Sequence, residues 1–158
     1  MIRPASPQDS AAIAALWNWM IRDTLATFTT VPKTSAEVAA RITSAPTQFH
    51  IAENKGIFVG FVTFGPFRPG PGYAATVEHT ILIDPQAHGR GIGRALMAQA
   101  ETAARAAGKK VMIGAISSHN RGAIRFHERL AYIQVGHLPG VGYKQGQWLD
   151  LILMQKNL

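Results

Sequence analysis

The chain contains no cysteine among its 158 residues. Disulfide bonds, thiolate-ligated metals and a cysteine nucleophile are therefore excluded. No apolar run approaches the roughly 20 residues needed to cross a bilayer. The first residues include a charge at Arg3 and a proline at Pro4, and they lack the apolar core of a signal peptide. We therefore expect a cytoplasmic protein with no metal site and no membrane partner.

Acidic side chains are also scarce. Nine Asp and Glu stand against 16 Lys and Arg, which gives a formal net charge of +7. A basic surface can indicate nucleic-acid binding, but here the basic residues are spread from Arg3 to Lys156. The densest group, Arg121, Arg125 and Arg129, has the spacing of one helix face. We expect a solvated face there, part of it near a phosphate ligand, and no nucleic-acid partner.

The length and the 47% hydrophobic fraction fit a single domain that spans residues 1–158. Helices and strands are predicted to alternate in the order β-α-α-β-β-β-α-β-α-β-β, an α/β (α+β) class. Ser6 and Pro7 are expected to begin the first helix, and Thr34 with Glu37 forms the capping box of the second. The two last strands are predicted at residues 133–138 and 148–154.

A glycine-rich segment is the strongest local signal. Gly89, Gly91 and Gly93 follow a strand-like run at residues 76–83 and open a helix-like run that ends near Gly108. Glycine lets backbone amides approach a ligand without a Cβ in the way. The N-terminus of the following helix adds unpaired N–H groups and the positive end of the helix dipole. The segment therefore predicts a phosphate or pyrophosphate site.

Three known phosphate-binding patterns can be tested against this spacing. A dinucleotide fingerprint would need Gly or Ala where Arg94 and Leu96 stand, and a P-loop would need Ser or Thr where Lys110 follows the one Gly-Lys pair. The third pattern, [QR]-x-x-G-x-[GA], fits residues 88–93 with His88 in the first place. This segment resembles the coenzyme A pyrophosphate loop of the GNAT N-acetyltransferases. A glycine-rich turn without a ligand is the alternative.

Three further motifs resemble one branch of that family, the phosphinothricin and methionine sulfoximine N-acetyltransferases. Residues 76–83, Thr-Val-Glu-His-Thr-Ile-Leu-Ile, are similar to the branch's T-V-E-x-[ST]-V-Y-V strand. Residues 120–132 are similar to N-x-x-[AS]-[IV]-R-L-H-E-x-L-G-[FY], and residues 141–150 to its G-[YF]-K-x-G-x-W-x-D ending. The chain departs from the branch at Leu82, at Ala131 and in the Pro-Gly loop at residues 69–72.

This resemblance implies a fold, a cosubstrate and a reaction. The fold would be the GNAT fold, a mixed, mostly antiparallel central sheet flanked by helices. The chain would transfer an acetyl group from acetyl-CoA to the α-amine of a small amino acid such as phosphinothricin, methionine sulfoximine or methionine sulfone. A homodimer is expected because members of the family are commonly dimers. The natural amine and the oligomeric state stay open.

Two side chains are candidates for acid–base chemistry. Acetyl transfer to an ammonium group needs a base for the nitrogen and a proton for the departing thiolate. The resemblance places Glu78 in the substrate cleft as the base, the alternative being a solvated side chain. His79 points to the opposite face of the strand, so we expect only one of the two to reach the cleft and favour Glu78. His127 lies where many relatives carry a proton-donating tyrosine, and a packed structural histidine is the alternative.

The resemblance also implies two sets of binding residues. Asn120 would bond the pantetheine arm or act as a plain N-cap, and Trp17 and Phe28 could be pocket walls or ordinary core. Lys144 and Trp148 could be structural or lie at a subunit contact. The remaining cofactor residues are Ile81, Leu82, Ile83, Gly89, Arg90, Gly91, Ile92, Gly93 and Arg94. The remaining substrate residues are Arg68, Pro71, Gly72 and Tyr73, together with Glu78.

Two other classes of function compete with this one. The first is a coenzyme A-binding module of the same shape without catalysis, and the second is an N-acetyltransferase of a peptide or protein N-terminus or of an aminoglycoside. The presence of Glu78, Asn120 and His127 together favours an enzyme. An acidic surface would suit a polycationic aminoglycoside, whereas this chain is basic.

Overall fold

The computed structural model describes residues 1–158, and its elements follow the predicted order. The strands are β1 Ile2–Pro4, β2 Phe49–Asn54, β3 Ile57–Pro66, β4 Thr76–Ile83, β5 Val111–Ser117, β6 Ile133–Lys144 and β7 Gln147–Asn157. The helices are α1 Ser10–Asp23, α2 Ser35–Ser44, α3 Ile92–Ala106 and α4 Arg121–Glu128. None of these helices is long and apolar enough to cross a membrane.

All seven strands form one sheet in the order β1-β2-β3-β4-β5-β7-β6. Neighbouring strands are antiparallel except for β4 and β5, which are parallel. The predicted mixed, mostly antiparallel sheet is therefore confirmed. Because β4 reaches β5 through α3, the helix that follows the glycine-rich segment, the one parallel pair lies next to the predicted phosphate site.

Helices cover both faces of this sheet and divide the core into two clusters. On β3, Phe61 packs in the cluster of α1 and α2, whereas its neighbour Val62 packs in the cluster of α3. Successive residues of a strand point to opposite faces, so the two clusters lie on opposite sides of the sheet. Leu96 and Met97, both fully buried, pack α3 onto the face of the sheet that carries Val62.

Local sequence signals set most helix boundaries. The capping box before α2 is confirmed, because the Thr34 hydroxyl accepts from the Glu37 N–H and the Glu37 carboxylate accepts from the Thr34 N–H. The predicted start of the first helix is wrong by one turn. Ser6 and Pro7 begin a 3-10 turn instead, where the Asp9 carboxylate accepts from the Ser6 N–H.

The last two strands are longer than predicted. The first of them was predicted to end at Leu138, but β6 continues to Lys144 through a bulge between Leu138 and Gly142. Gly140 lies in this bulge with φ of 61°, a backbone conformation that glycine adopts readily. The bulge is stabilised by Asp150, whose carboxylate accepts from the Gly140 N–H at 2.8 Å.

Candidate active site

A cleft opens where the parallel strands separate. β4 and β5 pair from Thr76 with Val111 to His79 with Gly114, and the pairing ends there, although both strands continue. The opening leads into a cleft of about 930 Å³. It is lined by residues 78–83, residues 114–117, the glycine-rich segment, α4 and the segment after α1.

The free edge of β4 forms one wall of this cleft. Residues 80–83 hydrogen-bond β3 on one side and face the cleft on the other. Their backbone groups on the open side can pair with an extended ligand as a further strand would. Ile81, Leu82 and Ile83, which the resemblance predicts to bind the pantetheine arm, lie along this free edge. The Leu82 side chain turns away into the core cluster of α1 and α2.

The glycine-rich segment closes one end of the cleft. Gly89 and Gly91 have φ of 77° and 76°, and Gly91 is the N-cap of α3. The first helical bond runs from Ala95 N to Gly91 O, so the N–H groups of Ile92, Gly93 and Arg94 have no helical partner. Unpaired N–H groups at a helix N-terminus suit a phosphate group.

Gly93 has a different role from the two glycines before it. A Cβ at Gly93 would lie 3.0 Å from Phe126 and from Ile83. Its small size therefore lets α3 pack against α4 and β4. Of the two predicted arginines, Arg94 lines the cleft, whereas Arg90 is exposed outside it.

The two residues that flank α4 also line the cleft. Asn120 caps the helix, because its Oδ1 accepts from the Ala123 N–H at 3.1 Å. Its side-chain NH₂ group stays available to a ligand in the cleft. Arg129, at the C-terminal end of α4, also lines the cleft, so one member of the predicted basic group borders it.

Glu78 lies on β4 just before the strands separate. It is half-buried, lines the cleft, and pairs through its backbone with Ile113 of β5. Burial raises the pKa of the Glu78 carboxyl above its usual value because a desolvated carboxylate is less stable than its neutral form. A carboxylate with a raised pKa is a stronger base, as a general base for an amine requires.

His79 also reaches the cleft, contrary to the expectation that only one of the two neighbours would. The cleft passes between β4 and β5, so it is bordered by side chains from both faces of β4. His79 stacks on His127 of α4 with ring centroids 5.0 Å apart, and their Nε2 atoms are 2.8 Å apart. Nδ1 of His127 bonds the Ala123 carbonyl at 2.7 Å. Both nitrogens of His127 are therefore engaged.

The predicted substrate loop lies outside this cleft. Arg68, Pro71, Gly72 and Tyr73 are exposed on the connection between β3 and β4, and none of them lines the cleft. The Arg68 guanidinium lies over the Phe67 ring at 5.4 Å instead. The connection joins the sheet next to Glu78, which pairs with Gly65. These four residues are therefore near the mouth of the site but not in it.

A wall that the sequence did not identify as a unit comes from α1, which carries Trp17, and from the segment between α1 and α2, which carries Phe28. Trp17 and Phe28 line the cleft, so both are pocket walls. The segment is fixed by β6: the Lys144 ammonium donates to the Thr27 carbonyl at 2.7 Å, and a Cβ at Gly142 would lie 2.5 Å from the Phe28 ring. Lys144 is 4% exposed, and its role is to hold this wall.

Comparison with known proteins places the chain among acetyltransferases. The model of the acetyltransferase (GNAT) family matches residues 13–132. An L-methionine sulfoximine/L-methionine sulfone acetyltransferase of Salmonella typhimurium is 35% identical, over 99% of this chain and 94% of its own length. The L-amino acid N-acyltransferase MnaT of Escherichia coli is 36% identical, over 99% of this chain and 93% of its own length.

A solved structure is similar over the whole chain. The phosphinothricin acetyltransferase of Sinorhizobium meliloti, crystallised in complex with acetyl-CoA, superposes with a TM-score of 0.92 at 30% identity. The match covers 100% of this chain and 88% of that one. Acetyl-CoA is therefore the cosubstrate, and the structure contains no group of side chains arranged to hold a metal ion.

The glycine-rich segment generates a prediction about cofactor affinity. Gly91→Ala adds a methyl group at positive φ beside the predicted pyrophosphate position, and we expect coenzyme A to bind at least tenfold more weakly, about 1.4 kcal/mol. Gly108→Ala is the matched control, because Gly108 has φ of 74° and open space around it at the other end of α3. Calorimetric titration of both folded variants with coenzyme A is the measurement. Equal affinities would remove the pyrophosphate assignment.

Proposed function

The chain belongs to the acetyltransferase (GNAT) family and is an acetyl-CoA-dependent N-acetyltransferase of the phosphinothricin/methionine sulfoximine-like branch. We propose that its acceptor is the α-amine of a small free amino acid with a compact tetrahedral side-chain head, such as phosphinothricin, methionine sulfoximine or methionine sulfone. The relatives named for these substrates support the proposal. The observation that carries the proposal is the position of Glu78 where β4 and β5 separate.

The proposed reaction is direct transfer within the cleft. Glu78 takes a proton from the ammonium group, and the free amine attacks the thioester carbonyl. The tetrahedral intermediate then loses a second proton from nitrogen and expels the coenzyme A thiolate, which takes up one proton. We assign that proton to His127, which lines the cleft beside the free edge of β4. The products are the amide and the thiol, with one proton released to water.

The surroundings of the acceptor fit a small amino acid. Trp17 and Phe28 supply an apolar wall for a short methylene stem. Lys33, whose ammonium lies 5.5 Å from the Trp17 ring centroid, supplies positive charge at the same wall. A carboxylate or an oxygen-rich head gains from such a cation. The predicted contact from Arg68 has less support, because that side chain lies outside the cleft.

The main alternative is acetylation of a peptide or protein N-terminus. Such an acceptor would extend beyond the cleft, and the connection between β3 and β4, where Pro71 and Gly72 are exposed, joins the sheet next to Glu78. A module that binds coenzyme A without catalysis is the second alternative. The half-buried Glu78, whose pKa is raised by burial, favours catalysis over it.

A homodimer is part of the proposal. The edge strand β6 and its neighbour β7 expose large apolar side chains, among them Tyr143 at 58% and Trp148 at 72% of their surface, with ring centroids 4.8 Å apart. Val141 is also exposed beside them. An exposed apolar patch on an edge strand is a common contact between subunits. A cytoplasmic location and the absence of a nucleic-acid partner stay predictions of the sequence.

The role of Glu78 predicts a specific pH dependence. Glu78→Gln keeps the shape of the side chain but cannot accept a proton, so turnover at pH 7 should fall by a factor of about 10²–10⁴. In the unmodified enzyme the rate should rise with pH through the raised pKa of Glu78, since the carboxylate is the active form. The variant should lose that step and regain activity as alkaline pH supplies free amine. Steady-state rates across pH check this, and unchanged activity at pH 7 would remove Glu78 as the base.

The acceptor class is tested by thiol release from acetyl-CoA across a panel. We expect phosphinothricin, methionine sulfoximine and methionine sulfone to be acetylated well above hydrolysis, and peptides and polyamines not to be. Arg68→Ala adds a second readout: an increase in KM for these three acceptors, but not for a plain apolar amino acid, would bring Arg68 back as the contact for the head. Activity on peptides alone would overturn the acceptor and keep the acetyltransferase.

The dimer proposal predicts the effect of a charge in the apolar patch. Trp148→Lys should convert a dimer into a monomer in sedimentation velocity, because the large exposed ring is the centre of the patch. Ile57→Lys is the matched control, since Ile57 is also exposed, at the start of β3. A monomer before substitution would contradict the proposal.

A further inference from the structure

Two histidines meet below the free edge of β4. His79 and His127 are 6% and 3% exposed, and they face one another through their Nε2 atoms at 2.8 Å. Gly114 of β5 makes the room, because a Cβ there would lie 3.0 Å from Cε1 of His79. The pair borders the cleft that holds the reaction. The proposed reaction assigns no step to His79.

The hydrogen atoms of the pair can be assigned from its partners. The Ala123 carbonyl oxygen only accepts, so Nδ1 of His127 carries a hydrogen. In an uncharged ring Nε2 of His127 is then an acceptor. The short contact therefore requires a hydrogen on Nε2 of His79. This leaves Nδ1 of His79 without a hydrogen, and that atom is buried with no hydrogen-bond partner.

We propose that His79 is the positioning residue of His127: its Nε2–H fixes the ring and the tautomer of His127, and the two rings gain and lose one proton as a unit. The proposal rests on the proposed role of His127 as the proton donor. It adds that the pH range in which His127 can donate a proton depends on His79 as well.

Counting the ring hydrogens shows why His127 can donate only after the pair has taken up a proton. The uncharged pair holds two ring hydrogens on nitrogen, and Nε2 of His127 has none to give. When the pair takes up one proton, the third hydrogen is accommodated at Nδ1 of His79, and the central hydrogen can move to Nε2 of His127. Transfer of that hydrogen to the thiolate leaves both rings uncharged, each with its hydrogen on Nδ1. The resting pair is restored when His79 loses the hydrogen on Nδ1 to water and takes up another on Nε2. Two groups coupled in this way titrate together.

The surroundings keep the resting pair uncharged. Burial lowers the pKa of both rings, and the charge of one ring would lower the pKa of the other, while the Ile113 backbone favours protonated His79. Tyr132 faces both rings edge-on, with its ring centroid 5.6 Å from that of His79 and 5.2 Å from that of His127. Behind it, the Glu101 carboxylate accepts from the Tyr132 hydroxyl.

The negative charge of the Glu101 carboxylate is already balanced by two basic side chains. Lys156 donates to Glu101 at 2.7 Å, and Arg105 lies 3.5 Å from it. Phe126 packs edge-on against His127 and brings no charge. On the opposite face of β4, Glu78 points away from the pair. None of these neighbours brings an unpaired charge to His127, so a substitution at His79 is the most direct way to change the pKa of His127.

The first arm of the test reads the tautomers of the unmodified protein by ¹⁵N NMR of the histidine rings. At neutral pH we expect the hydrogen of His127 on Nδ1 and that of His79 on Nε2. A hydrogen on Nε2 of resting His127 would overturn the proposal. This readout needs neither substrate nor activity.

The second arm compares two substitutions of His79. His79→Phe removes the donor to uncharged His127, so the pKa of His127 should rise. At high pH, kcat should fall as the proton donor is deprotonated, and the pH of this fall should increase together with the pKa of His127. His79→Gln keeps an N–H donor and should restore the original titration. His50→Phe is the matched control, since His50 is a buried histidine on β2 outside the cleft.

Each outcome has a distinct meaning. An unshifted titration of His127 in folded His79→Phe overturns the positioning role. If His79→Phe does not fold, His79→Gln and the tautomers of the unmodified protein decide the same question. If His127→Phe keeps its kcat and its pH profile, the proton-donor role in the proposed function fails, while the tautomer result still tests the pairing.

Discussion

The loss of pairing between β4 and β5 after His79 and Gly114 is the constraint on which the site depends. A parallel pair inside a sheet normally satisfies every backbone group along its length. Here each strand continues beside a different neighbour, β4 with β3 and β5 with β7. The result is an open, polar backbone edge inside the protein, and an extended amide-containing ligand can complete it.

Burial then gives the side chains at this opening their chemical character. Desolvation raises the pKa of the Glu78 carboxyl and lowers the pKa of the two histidine rings, because it disfavours a charge of either sign. A base and an uncharged histidine pair therefore lie on opposite faces of one strand, with the gap between the strands connecting them. The opening proposed to admit the cofactor therefore lies between the two groups proposed to transfer protons.

The sequence predicted what depends on local chemistry. Short patterns predicted the glycine-rich turn between β4 and α3, the capping box at Thr34 and the order of elements. The walls of the acceptor site depend on contacts between distant segments, and Lys144 reaching Thr27 across the sheet leaves no local pattern. The same holds for His79: strand alternation placed it away from the cleft, and only the separation of β4 from β5 brings it there.

The central claim is that the free edge of β4 receives the cofactor, and amide hydrogen exchange measures this directly. In the free enzyme, the amides of residues 80–83 that do not bond β3 should exchange rapidly, because they face the open cleft. Coenzyme A should protect these amides together with those of residues 91–94 and leave the edge strand β6 unchanged. Protection confined to other parts of the sheet, with residues 80–83 still exchanging freely, would contradict the account.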